Sequence, residues 1–338
     1  MVVANHFREN QNTLSNFYDF LMAEHATMTV STQDPRDMIY APLNMLRSSQ
    51  PDLNLKSFDT HLSIDYMSST LDVYTRAAID IRHVCLSFAK RIPKRGSQWP
   101  SWVPDWKSNQ VQLLLNHHKS SFCSSSVPPT AVSLSLGLYS PGTLFVGSHV
   151  DVIAETACYL PRRRHCDHYN VDGANILIFD EWFEFVKERV RKSKRRGGRD
   201  LDALIQFVET VQAKGCNTIW TPSASNDLST SVERAREFID FLEDEDAEPT
   251  PELRLFYAAC YPAHGRRLGI TRSGRFGLFP EKARRMDIVS IMDGYRVPII
   301  LRKKGESFIS IGESYVNGLM MGEGELQSDF KRTYLGIM

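Results

Sequence analysis

The sequence predicts an α+β fold, mainly helical in its N-terminal and middle parts and closing in a C-terminal antiparallel β-meander or small barrel. Three observations carry this. Apolar residues recur at three- and four-residue intervals over 69–90, and again from about 176 to 243. From Arg266 onwards the period changes to short apolar runs separated by Gly274, Gly277, Gly294 and Gly305, a spacing that suits strands joined by tight turns. The 338 residues are 42% hydrophobic and 24% charged, a globular balance large enough for one big core or two modest ones.

The elements follow in order. Asn12 caps a short helix over 12–25 with Leu14, Phe17, Leu21 and Met22 on one face. Asp34 and Pro35 open a second helix over Asp37 to Leu46, Asp34 as N-cap and Pro35 at the first helical position, where a missing N–H costs nothing. The strongest helix, 69–90, carries Leu71, Tyr74, Ala78, Ile81, Val84, Cys85 and Phe88 inward and stops before Pro93. Trp99-Pro100-Ser101-Trp102-Val103-Pro104-Asp105-Trp106 then forms a stiff loop. It reads as a plug at the edge of a core, with a ligand platform as the functional alternative. A Ser-rich loop spans 109–136, and Leu144 to Ile153 gives one or two strands. Three apolar stripes follow, through Phe179–Val190, Leu201–Val211 and Val232–Leu242. An acidic linker with Pro249 and Pro251 closes this block. Strand signals come at Leu268–Ile270, Ile288–Met292, Val297–Leu301 and Phe308–Ile311. The organisation expected is 1–160 helix-rich, 161–252 a variable basic and acidic helical insert, and 253–338 a β-rich module packed on 1–160.

Forty basic and forty acidic residues cancel, so no global field draws the chain to nucleic acid or to an anionic membrane. No apolar run is long enough to cross a bilayer, and the N-terminus lacks the pattern of a signal peptide. The six cysteines show no framework spacing and fit reduced thiols. A cytoplasmic protein is expected, with Lys187–Arg199 as a candidate nuclear signal. That basic run reads first as a solvated helix end stopped by Gly197-Gly198.

Motifs of chemistry are sparse. Arg162 to His168 places His165, Cys166 and His168 close together, but no second ligand pair stands at zinc spacing, so the segment reads as a polar loop and no metal is assigned. Neither a nucleophile elbow nor a phosphate-cradling glycine loop occurs. No catalytic residue and no cofactor is assigned, and a non-enzymatic protein is expected. The most informative charged set is Asp34, Arg36 and Asp37, beside Tyr40. These charges can cap the helix and pair with each other, with Asp34 as N-cap and Arg36 also able to bridge to a carboxylate elsewhere, a fold-locking reading set against that of a signalling surface.

Five segments in order resemble fungal heterokaryon-incompatibility (HET) proteins. Ser31 to Leu46 is similar to that family's S-T-D-P-R-D-K-V-Y-A-L-L-G-L segment, with Gln33 inserted and Pro42 replacing a leucine. Ile64-Asp65-Tyr66 precedes a helix as in the family, and Trp99–Trp106 resembles L-P-S-W-V-P-D-W. Gly147–Ile153 is similar to G-x-x-x-D-x-I. The tail resembles G-D-x-V, G-x-x-V-P-x-x-L-R and G-E-x-Y-V-x-G-I-M-x-G-E at Met286–Val289, Gly294–Arg302 and Gly312–Glu323. Met286 replaces the glycine of the G-D pair, and Asn317 stands where histidine is frequent.

The family's defining N-terminal motifs are absent. The resemblance therefore implies the region downstream of the effector domain, in a truncated protein of nonself recognition and programmed cell death. Other incompatibility proteins are the implied partners. Asp34, Arg36, Asp37, Tyr40, Trp102, Asp105, Trp106, Glu313 and Tyr315 are the positions the motifs single out. The alternative is an enzyme or accessory protein of a metabolic pathway, with a pocket between helices and β module. A DNA-associated factor using Lys187–Arg199 is a third.

Overall fold

The computed structural model describes residues 32–49, 63–80, 85–87, 99–107, 122–127, 143–161, 173–194, 200–214, 233, 237 and 250–338. The expected first helix (12–25), the Arg162–His168 loop and most of the third insert stripe lie outside these residues. Within them the chain is α+β. The helices are α1 (Asp37–Ser49), α2 (Thr70–Asp80), α3 (Gly173–Lys194), α4 (Asp200–Val211) and α5 (Pro251–Ala259), with a 3-10 turn at Cys85–Ser87. The strands are β1 (Thr143–Tyr159), β2 (Arg266–Thr271), β3 (Phe276–Pro280), β4 (Ile288–Met292), β5 (Ile299–Lys304), β6 (Ser307–Glu313), β7 (Tyr315–Val316) and β8 (Thr333–Ile337).

The pivot of the sheet is β1, a single strand of 17 residues. Its first part, Thr143–Gly147, pairs with β8, and Gly147–Val152 pairs with β4. Beyond Ile153 it pairs with β2. Because β4, β5, β6 and β8 also pair in that order, the hydrogen bonding runs in a closed circuit through β1, β4, β5, β6 and β8. From the far half of β1 a wing continues through β2, β3 and β7. Register shifts at His149/Asp151, within the pairing with β4, and at Ile153/Glu155, where the pairing with β2 begins, fall on either side of the passage, and such extra residues bend a strand. The ladder is therefore not a plain meander. It takes its central strand from more than a hundred residues upstream, and β8 lies parallel to β6.

Glycine makes the tightest approaches. A Cβ on Gly147 would stand 2.6 Å from the Ile291 carbonyl oxygen, and one on Gly277 would stand 2.7 Å from that of Tyr315. At those two points β1 meets β4, and β3 meets β7, closely enough to exclude any side chain.

Three clusters fill the interior. The first joins α1, α2, the 3-10 turn and the Trp loop to Phe145, Tyr295, Leu301, Leu335 and Ile337 of the strand circuit. The second packs Phe179, Trp182, Phe207, Val208 and Tyr257 of α3–α5 on Leu268, Phe276 and Leu278 of the wing. The third joins Ile153, Val289, Ile300, Ile309 and Val316 from β1, β4, β5, β6 and β7. The N-terminal helices and the insert helices thus cover different parts of one sheet. Apolar burial is the main favourable term in such an arrangement.

Candidate functional site

The motif residues fall into two groups. The first is built around Arg36. The chain turns at Asp34-Pro35-Arg36, with the Asp37 N–H donating to the Asp34 carbonyl at 3.1 Å, and α1 starts at Asp37. The Asp34 carboxylate accepts from the Arg36 backbone N–H at 2.9 Å and from its guanidinium, Nε at 2.9 Å and Nη2 at 2.6 Å. Of the two readings for these charges, the mutual pair is the one formed: the carboxylate that Arg36 holds is Asp34, two residues back, and not one elsewhere. What Arg36 reaches at distance is backbone. Its Nη1 donates to the carbonyls of Tyr66 and Ser68, and its guanidinium stands 5.3 Å from the Tyr66 ring centre. The Arg36 hydrogen bonds, side chain first, pull the Asp34 pKa down to about 2.

Tyr40 and Tyr74 complete this group. Buried Tyr40 donates its hydroxyl to the Asp65 carbonyl at 2.9 Å and accepts from the Asp65 N–H at 3.1 Å. Tyr66, on the same loop, donates to the Asp37 carboxylate at 2.6 Å. From α2, the Tyr74 hydroxyl donates to the Pro35 carbonyl at 2.7 Å, and burial, with Asp105 and Asp34 nearby, pushes its pKa well up. The Tyr74 ring meets Trp106 edge-on at 5.0 Å and Trp99 at 5.7 Å. Asp105 is half-buried between the buried Trp102 and Trp106.

The Trp loop is the joint between this helical layer and the strands. Trp102 packs edge-on against Phe145 of β1 at 6.3 Å. The Ser101 N–H donates to the Met338 carbonyl at 2.7 Å, and its hydroxyl donates to the same carbonyl. That hydroxyl also accepts from the Ser310 N–H of β6 at 3.0 Å. The aromatic residues plug the edge of a core, and the serine between them pins two strands.

Glu313 and Tyr315 belong to the second group. Glu313 is 1% exposed and receives Arg266, itself fully buried, with Nη2 to the carboxylate at 2.7 Å and Nη1 to the Glu313 carbonyl at 2.8 Å. Tyr315 pairs with Leu278 in β7 and lies 5.9 Å from the Phe122 ring. The rest of this tail is equally occupied. Ser314 donates to the Pro298 carbonyl at 3.1 Å, Asn317 donates to the Glu209 carboxylate of α4 at 3.1 Å, and Gly318 turns with φ +75°. A third pair, which the motif reading did not single out, joins Arg302 to Asp287 through two parallel bonds of 2.8 Å. Arg266 was likewise missed. Its signal was a cation opening an apolar strand, but nothing in the sequence names a partner 47 residues away.

Asp151 of the G-x-x-x-D-x-I segment ties β1 to the β2–β3 hairpin. It accepts from the Ser273 hydroxyl and from Arg275 Nη1 at 3.3 Å. In the basic run, Lys187 pairs with Glu184 at 2.7 Å and Arg189 pairs with Glu155 of β1. Cys85, Cys123, Cys158 and Cys260 carry thiols. Burial first, then Glu181, raises the Cys158 pKa to about 12, and burial raises that of Cys260 further. Among the described residues no group of three or more His, Cys, Asp or Glu could hold a metal, and no helix is long and apolar enough to cross a membrane.

The chemistry of both groups is that of fixed arginine–carboxylate and tyrosine–carbonyl contacts, which hold loops and strand ends in place. Neither a curated protein nor a solved structure shows a significant match to this chain. Residues 233–335, which span α5 and β2–β8, match the family model of the Het-6 beta-barrel domain, a domain of HET-related fungal proteins.

Proposed function

We propose that this chain acts in fungal nonself recognition and cell-death signalling, as a non-catalytic module that works by binding other incompatibility proteins in the cytoplasm. The single observation that carries the reading is the Het-6 beta-barrel match over 233–335. The way the motif residues are used supports it. Arg36, Tyr40, Tyr74, Arg266 and Glu313 spend their polar groups on neighbouring backbone and carboxylates, as a rigid scaffold requires. The pKa values of the half-buried Cys158 thiol and the buried Cys260 thiol are raised, chiefly by burial, which suits packing better than nucleophilic attack.

The test is genetic. The full chain is expressed in a filamentous fungus, and the strain is paired with a panel of isolates. Fusion cells are scored for death with a vital dye. The expected result is a rise in cell death with some partners and not with others, lost in the Arg266→Met variant. Equal survival across the whole panel, at verified expression, would remove the proposal.

A further inference from the structure

The loops β2–β3 and β3–β4 meet on β1, where the Arg272 N–H donates to the Val152 carbonyl at 2.8 Å and the Met286 N–H to the Ile153 carbonyl at 2.9 Å. Residues 271–287 carry five cations, Arg272, Arg275, Lys282, Arg284 and Arg285, against two carboxylates, Glu281 and Asp287. Asp287 is already matched by Arg302, and the nearby Asp151 by Arg275 and Ser273. Arg272, Arg284 and Arg285 are exposed, and none of them pairs with a carboxylate among the described residues.

Met286, 56% exposed with φ 74°, follows Arg284 and Arg285 in the chain and touches Arg272. A side chain in the left-handed region is strained, and the turn bond from the Asp287 N–H to the Arg284 carbonyl at 3.1 Å holds it there. The Met286 sulfur receives Arg272 Nη2 at 2.9 Å, a weak acceptor for a guanidinium that a carboxylate would displace. Left-handed strain at a non-glycine residue concentrates at ligand clamps and switch regions, and here it presents an exposed thioether beside arginines that have no carboxylate partner among the described residues.

From this juxtaposition we infer that Arg272, Arg284, Arg285 and Met286 form a docking surface for an acidic protein segment carrying an apolar residue. The cations take the carboxylates and the thioether, which adapts to varied shapes, takes the apolar side chain. A nucleic acid fits less well, since the patch presents a thioether where a phosphate or a base edge would need a donor. The inference stands apart from the incompatibility reading, because it rests on surface chemistry alone.

Fluorescence anisotropy on the full chain tests it. The probe is a short labelled peptide of glutamates with one central leucine, alongside an all-glutamate peptide, a DNA duplex and phosphatidylserine vesicles. The wild-type chain is expected to bind the leucine-containing peptide best. Arg284→Glu with Arg285→Glu should weaken it at least about tenfold, while the corresponding lysine pair retains it. Met286→Gly should weaken the leucine-containing peptide several-fold and leave the all-glutamate peptide unchanged, with a Tm equal to or above wild type. Equal peptide binding by wild type and the charge-reversed pair overturns the proposal, as does tighter binding of DNA or vesicles than of peptide. A Met286→Gly variant that binds both peptides like wild type overturns the role of the methionine.

Discussion

The Asp34–Arg36 pair and the Arg266–Glu313 pair make the same chemical contact in opposite surroundings. The first lies at the edge of the helical layer, with side chains 28% and 22% exposed, and joins residues two apart. The second is 0% and 1% exposed and joins two strands 47 residues apart. Near water the charges interact weakly, and the value of Arg36 lies in the carbonyls it gathers from the Tyr66–Ser68 loop. Away from water the attraction is strong, but so is the penalty for leaving either charge alone. The same residue pair is a local clasp in one place and an all-or-nothing constraint in the other.

The largest effect therefore belongs to the buried pair. Arg266→Met leaves the Glu313 carboxylate buried without its cation, and a loss of about 3–5 kcal/mol is expected in denaturant unfolding. Arg266→Met combined with Glu313→Leu should recover most of it, since neither charge of the pair is then left buried alone. If the double variant is as unstable as the single one, the strand packing rather than the charge is what Arg266 supports.

Next comes the backbone against which that pair is set. Gly277→Ala places a Cβ 2.7 Å from the Tyr315 carbonyl and equally close to the Phe279 ring, so β3 must part from β7. Overpacking of this kind costs about 1–3 kcal/mol, and protection of the β7 amides from hydrogen exchange should fall with it. A Gly277→Ala chain of wild-type stability would mean that the wing breathes enough to absorb a methyl group. Smaller again is Ser101→Ala, which removes the hydroxyl contacts to Met338 and Ser310 but leaves the Ser101 N–H bond to Met338. About 1 kcal/mol is expected, measured as a shift in the urea midpoint.

These contrasts also mark what could be read from the sequence. Helices α1 and α2 were legible because their caps and three-to-four periodicity are local features, and the runs at Ile288–Met292 and Phe308–Ile311 are flanked by turn glycines. Strand β3, Phe-Gly-Leu-Phe-Pro, is buried at every position, so it shows no alternation to announce it. Pro251 was read as part of a linker, yet it is the first residue of α5, where proline is well tolerated. The site followed the same rule. Asp34 and Arg36 sit two residues apart in the sequence, so their clasp was nearly visible. The partner of Glu313 is set by the return of β6 and β2 into one sheet, which no spacing reveals.

The exposed clasp offers the smallest but most diagnostic effect, since it responds to solution conditions. The Asp34 carboxyl has its pKa lowered from 3.8 to about 2 by the Arg36 bonds, so its contribution is present above the unfolded value and lost as pH falls through about 2. An Asp34→Asn chain should melt below wild type near neutral pH, and the gap should close between about pH 4 and pH 2. Roughly 1 M salt at neutral pH should narrow the same gap, because the pair is open to counterions. Salt should not narrow the deficit of Arg266→Met to a similar degree, because counterions do not reach that buried site. A gap for Asp34→Asn that ignores both acid and salt would show that Asp34 acts there through the shape of its turn rather than its charge, and the two regions would then differ in more than their exposure to water.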